Sequence, residues 1–122
     1  MSALIDTSVL VGVGPLAAEV DEEGWAVSVI TLGELETGVL MATDAATRAA
    51  RLRRLTAVLA EAPALPAGPA VATRYAELRS TSGRVPANDL WIAATASAHD
   101  LTLVTRDERQ ARLPGIVGML VS

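Results

Sequence analysis

Four acidic side chains stand where site chemistry is most easily assembled: Asp6, Glu34, Asp89 and Asp107. Asp6 directly follows the short apolar run Ala3-Leu4-Ile5, and Asp107 follows LTLVT at 101–105, so both come just past a stretch that reads as a strand. Glu34 comes soon after the apolar run WAVSVI at 25–30, and Asp89 three residues after Pro86, where a helix should begin. The first turn of a helix carries positive partial charge and favours an acid. Carboxylates gathered in one place are suited to holding a hard cation through oxygens. Two of them about 4 Å apart repel by roughly 4 kcal/mol at an effective dielectric near 20, so four will not converge without a compensating cation. Taken singly, each acid also has an ordinary structural reading. Asp6 suits a helix cap, Glu34 the capping-box partner of Thr31, Asp89 a first-turn acid, and Asp107 a turn residue.

The residues that are missing narrow the chemistry further. There is no Cys, which removes disulfides, thiolate metal sites and a cysteine nucleophile. His99 is the single histidine, so multi-histidine zinc sites are excluded. It lies beside Ser97 and Asp100, but neighbours on one helix cannot present the geometry of a Ser-His-Asp triad, and no G-x-S-x-G elbow is present. All ten basic residues are Arg, which rules out a phosphate loop ending in Gly-Lys and any Schiff-base lysine. Fourteen acids against ten arginines give a net charge of −4. That balance argues against a generic basic nucleic-acid-binding module, but not against an enzyme whose acids are concentrated at one site. The first residues lack a basic segment and carry Asp6 within the apolar run, unlike a signal peptide. No stretch of about 18 apolar residues runs free of charge and Pro. A soluble, cytoplasmic protein is expected.

The elements that must position these acids alternate along the chain. The 122 residues are one domain's length, and the core must come mainly from Ala, Val and Leu, because Phe is absent and the aromatics are Trp25, Tyr75 and Trp91. Strand 3–5 is followed by the helix-capping run Asp6-Thr7-Ser8, and Pro15 to Glu23 reads as a further helix. Trp25 to Ile30 reads as a buried strand, with Thr31 and Glu34 spaced as a capping box for the next helix. Asp44 opens a helix to about Ala60, with Leu52, Leu55, Val58 and Leu59 at helical spacing. Residues 62–70 hold three prolines and read as a loop or short edge strand. Helices are expected over 70–81 and from Pro86 to about Asp100, a strand over 101–105, a short helix before Pro114, and a last strand over 116–121. Trp91, two residues past Asp89, points away from it on a helix and suits core packing. The alternation implies an α/β fold: a single domain over 1–122, with a parallel sheet of four or five strands and helices on both faces. In such a sheet, ligands bind beyond the C-terminal ends of the strands, where strand order reverses.

Four segments, LIDTSVL at 4–10, SVITLGELETG at 28–38, PANDLWIAATA at 86–96 and LTLVTRD at 101–107, resemble the four motifs of the PIN domain. They are most similar to those of the VapC toxins of bacterial toxin–antitoxin pairs. The motifs span nearly the whole chain in the family's order. The resemblance implies a ribonuclease that cuts RNA using Mg²⁺ or Mn²⁺, a VapB-type antitoxin that blocks the site, and a toxin homodimer. By motif position the catalytic and metal-binding acids fall on Asp6, Glu34, Asp89 and Asp107. Supporting polar residues fall on Thr7, Ser8, Asn88 and Thr105. Asp6 and Asp89 are expected as the main metal ligands, and Arg84 and Arg106 as contacts to RNA phosphates. The arginine cluster 48, 51, 53 and 54 reads as a solvated helix face that can also meet a partner's acids. Residues 31–60 are expected to form a helical hairpin that helps grip the antitoxin and the second subunit. Two positions depart from the pattern. Ala111 stands where an aromatic often follows the fourth motif, and Gly68 where an acid often opens the helix. An inert PIN-like module that binds RNA or protein without cutting is the alternative reading. A phosphoryl-transfer receiver or phosphatase fits poorly, because Lys is absent and no second acid stands two residues after Asp6.

Overall fold

A computed structural model describes residues 2–11 and 24–122; the helix expected over Pro15 to Glu23 lies outside the described residues. Among the described residues, five strands and six helices follow in the order β1 (Ala3–Ile5), α1 (Thr7–Leu10), β2 (Trp25–Ser28), α2 (Val29–Leu40), α3 (Ala45–Glu61), β3 (Ala64–Leu65), α4 (Pro69–Thr81), α5 (Ala87–Ala98), β4 (Thr102–Thr105), α6 (Glu108–Ala111) and β5 (Gly118–Leu120). The sheet has the order β3-β2-β1-β4-β5, and every pairing is parallel. The chain builds outward from β1 in one direction through β2 and β3. It then crosses back to lay β4 and β5 on the other side. Strand order therefore reverses between β1 and β4, and in open α/β sheets ligands bind beyond the strand C-termini at such a point.

Alternation along the central strands feeds two cores. Leu4 and Leu103 point into one cluster with Leu90, Ala93 and Ala94 of α5 and Val71 and Leu78 of α4. Ile5, Val27 and Val104 point the other way, into a cluster with Leu10, Leu35, Leu55 and Val58. Both faces of the sheet are thus covered, as parallel strands require. Trp91 stacks on Tyr75 with ring centroids 3.9 Å apart and planes 9° from parallel, which joins α5 to α4. Gly83, in the left-handed region at φ 65°, turns the chain between these two helices.

Several local expectations need correction. β2 stops at Ser28, whose hydroxyl accepts from Ile30 N at 3.0 Å and caps α2. Thr31 is therefore a buried residue inside α2 and forms no capping box with Glu34, which leaves the Glu34 carboxylate free to turn elsewhere. Ser28 outcompetes Thr31 because the pairing of β2 with β3 ends at that residue. On α3 only Leu55 and Val58 of the expected stripe are buried, while Leu52 and Leu59 are about half exposed. The last strand covers only Gly118–Leu120. Gly68 does open α4 without a side-chain cap.

The hairpin of α2 and α3 is fastened by arginine. Arg51 Nη1 donates to Gly38 O at 2.7 Å, and Arg48 Nη2 donates to Ala42 O at 3.0 Å. Two members of the cluster thus satisfy carbonyls at the C-terminal end of α2, where positive charge is favoured.

Candidate active site at the strand C-termini

Asp6 leaves β1 at the switch point and caps α1, with Oδ2 accepting from Ser8 N at 3.1 Å. It is buried, only 4% exposed. Its other oxygen, Oδ1, accepts from Gln110 Nε2 at 3.1 Å. A cap residue at the end of a central strand thereby becomes a buried carboxylate with both oxygens engaged. Asp107 does the matching work after β4. Its Oδ1 accepts from Arg109 N at 2.9 Å and Gln110 N at 3.3 Å and so caps α6.

Glu34 enters from α2. Thr7 donates to its Oε1 at 2.7 Å, and Asn88 Nδ2 makes a long contact to Oε2 at 3.5 Å. Asp89 lies in the first turn of α5. Its carboxyl is pushed up to about 6, first by burial and then by the negative charges of Asp6, Asp107 and Glu34, against the opposing pull of Arg109. All three other acids therefore act on Asp89, and the four expected side chains converge on one rim.

The supporting residues join the same network. Thr105, fully buried at the end of β4, accepts from Asp107 N at 3.0 Å, and its hydroxyl lies 3.2 Å from Asp6 Oδ2. Ser8 Oγ accepts from Arg106 N at 3.0 Å and so fastens α1 to the turn that carries Asp107. Arg84 and Arg106 are both exposed, with no ion pair among the described residues. The cation that acts on Asp89 is Arg109, which sequence reasoning did not single out. Gln110 was also missed. It is the chain's one Gln, set among charged residues in ERQAR, and that context reads as solvent-facing although the side chain is fully buried.

The donors that meet here are oxygens with net negative charge. Cys is absent, and His99, the only other nitrogen candidate of its kind, ends α5 at the opposite end of that helix from Asp89. This set fits a hard divalent cation. Among the described residues no three Asp, Glu or His side chains make a metal cage of their own. Mg²⁺ needs no such cage, because it takes one or two carboxylates and keeps several waters. A separate cleft of about 640 Å³, lined by residues including Arg74, Leu78, Ser97 and Asp100, lies at the N-terminal ends of β4 and β5, away from the acids. Among the described residues no helix is long and apolar enough to cross a membrane.

Comparison with known proteins agrees with the geometry. The family model of the PIN domain matches residues 3–116. Ribonuclease VapC4 of Mycobacterium tuberculosis is 40% identical over 121 residues, covering 93% of this chain and 92% of the relative. Ribonuclease VapC5 of the same organism is 38% identical over 122 residues, covering 93% and 89%. The crystal structure of VapBC-5, a member of the VapBC family of toxin–antitoxin systems from M. tuberculosis, superposes with a TM-score of 0.81 at 36% identity, covering 98% of this chain and 97% of the other. With an acidic rim at the switch point and matches of this extent, the chain belongs to the PIN-domain family, in its VapC branch.

Proposed function

We propose that this chain, over residues 1–122, is a Mg²⁺- or Mn²⁺-dependent endoribonuclease toxin of the cytoplasm, neutralised by a VapB-type antitoxin. The observation that carries the reading is the placing of Asp6 and Asp107 at the ends of the paired strands β1 and β4, with Glu34 tied to Thr7 of α1 and the Asp89 carbonyl tied to the Gln110 amide that also holds Asp6. Acids drawn this close carry a repulsion that a bound cation relieves. Asp6 and Asp89 would hold the ion, with Glu34 and Asp107 completing the site. When bound, a divalent ion supplies charge neutralisation for a phosphodiester and lowers the pKa of a water.

The chain's own residues orient the carboxylates. The Ser8 N–H and the Gln110 amide fix Asp6, and Thr7 fixes Glu34. Exposed Arg84 and Arg106, with Arg109 beside Asp89, supply contacts for RNA phosphates. The exposed apolar side chains Leu40, Met41, Leu52 and Leu59 on the α2–α3 hairpin are the surface assigned to the antitoxin and to a second copy in a homodimer. The test is cleavage of a pool of structured RNAs with and without Mg²⁺, beside Asp6→Asn. Cleavage should need both the ion and Asp6. Activity indifferent to both would remove the metal mechanism.

A further inference from the structure

We propose that Gln110 is the positioning residue of the acidic site. Its neutral amide sets the placement of Asp6 relative to Asp89 without cancelling the charge a cation needs. The proposal deepens the nuclease reading above and rests on it.

Gln110 follows Asp107 by three residues on α6, and no part of its side chain reaches solvent. Its Nε2 donates to Asp6 Oδ1 at 3.1 Å and to the Asp89 carbonyl at 3.1 Å. Its Oε1 accepts from Thr105 Oγ1 at 2.7 Å. The amide orientation is dictated by these partners. A carboxylate and a peptide carbonyl only accept, so both N–H bonds must face them and the oxygen must face the hydroxyl. The backbone N–H of the same residue donates to Asp107 Oδ1 at 3.3 Å. One residue thus bonds to three of the four acids or their peptide groups, and joins the ends of β1 and β4 to the first turn of α5.

The residue type follows from electrostatics. An arginine here would neutralise Asp6 and compete with a cation. A glutamate would set a fifth carboxylate against Asp6, with no proton to donate at neutral pH. An amide donates twice and adds no charge. Groups that orient a metal-binding carboxylate in this way usually change metal affinity by about 10- to 100-fold when removed.

The test compares the full-length wild type with Gln110→Met, which keeps the chain length but donates nothing, and Gln110→Asn, which keeps the amide one methylene short. Melting in EDTA reports folding, and free Mn²⁺ measured by electron paramagnetic resonance gives the Mn²⁺ Kd. Cleavage of a single-stranded RNA oligonucleotide at saturating Mn²⁺ gives kcat and KM. The folded variants should bind Mn²⁺ about tenfold more weakly or worse, with lower kcat and unchanged KM. Gln110→Asn keeps a polar group in the buried site and guards against an unfolded Met variant. Mn²⁺ binding within about twofold of wild type in a folded variant overturns the positioning role. A wild type that binds no Mn²⁺ overturns the acidic-site reading itself, which is a different result.

Discussion

Thr7 donates its hydroxyl proton to Glu34 Oε1 across 2.7 Å and ties the first residue of α1 to the middle of α2. The same hydroxyl lies 3.0 Å from Thr31 Oγ1, so it is framed from two positions on α2. A glutamate on a helix surface would ordinarily extend into water; here it is drawn towards the strand C-termini. Hydrogen bonds to charged groups contribute about 1.5–3 kcal/mol, and this one is partly exposed and belongs at the low end. Thr7→Val should therefore lower stability by about 1.5 kcal/mol and RNA cleavage by about tenfold. Thr7→Ser should restore most of both. Urea melts and initial rates on one RNA oligonucleotide measure the pair. Equal loss in the Val and Ser variants would show that the methyl group matters and the hydroxyl does not.

Asp89 gives a prediction with a definite sign. Its carboxyl ionises near 3.8 when unfolded and near 6 when folded, so between these values the folded chain holds more protons. Its contribution to stability is therefore greatest below the lower value, and falls as pH rises through the window and past 6. Asp89→Asn abolishes that decline. At pH 7 the variant should be more stable by about 1 kcal/mol, allowing for solvent screening of a partly exposed group. At about pH 3 the gain should be nearly gone, because the wild-type carboxyl is then mostly protonated in both states. Cleavage should be lost throughout. Thermal melts in EDTA at the two pH values decide the matter, and a gain of equal size at both would show that charge is not its cause.

Cation binding should oppose the same repulsion. Millimolar Mn²⁺ should raise the melting temperature of the wild type, with stabilisation of about 2.7 kcal/mol at a hundred times Kd. Below a pH of about 6, protons compete for Asp89 and the increment should shrink. Asp89→Asn should respond far less. A flat titration in the purified wild type would remove the site as a cation binder.

Much of this was legible in the sequence, for identifiable reasons. Asp6 and Asp107 each follow an apolar run and precede a helical turn, so their positions at strand ends follow from local pattern alone. The parallel sheet also follows from the alternation of elements, because parallel strands need crossovers, whereas the order β3-β2-β1-β4-β5 is set by tertiary packing that no local pattern carries. The start of α2 was misread because Ser28 and Thr31 are equally good caps in isolation, and only the end of the β2–β3 pairing selects Ser28. Gln110 was invisible for a related reason. Its neighbours Glu108, Arg109 and Arg112 are exposed, and only the tertiary approach of β1 and α5 buries the amide between them. Arg109 acts on Asp89 across two elements 20 positions apart in the chain, a relationship no local pattern carries.

Gly118 of β5 lies against the backbone of Ala111 in α6. A Cβ built on Gly118 would stand 2.3 Å from the Ala111 carbonyl oxygen and 2.8 Å from its Cα. Both are backbone atoms, so no rotamer change relieves the clash; α6 must move away from β5. The missing side chain at Gly118 therefore lets the backbone of this helix lie directly against the edge strand. α6 is short, and it carries the Asp107 cap at one end and Gln110 near the other, so any shift reaches both bonding partners of the rim. Overpacking of this kind costs about 1–3 kcal/mol. Gly118→Ala should lower stability by that amount and weaken Mn²⁺ binding, although the substituted residue bears no polar side chain. Val117→Ala, one residue earlier at an exposed position, should do neither. Melting curves and Mn²⁺ titrations of the two variants side by side test the coupling. Unchanged Mn²⁺ affinity in a destabilised Gly118→Ala would show that α6 moves without carrying Gln110 and Asp107 out of register.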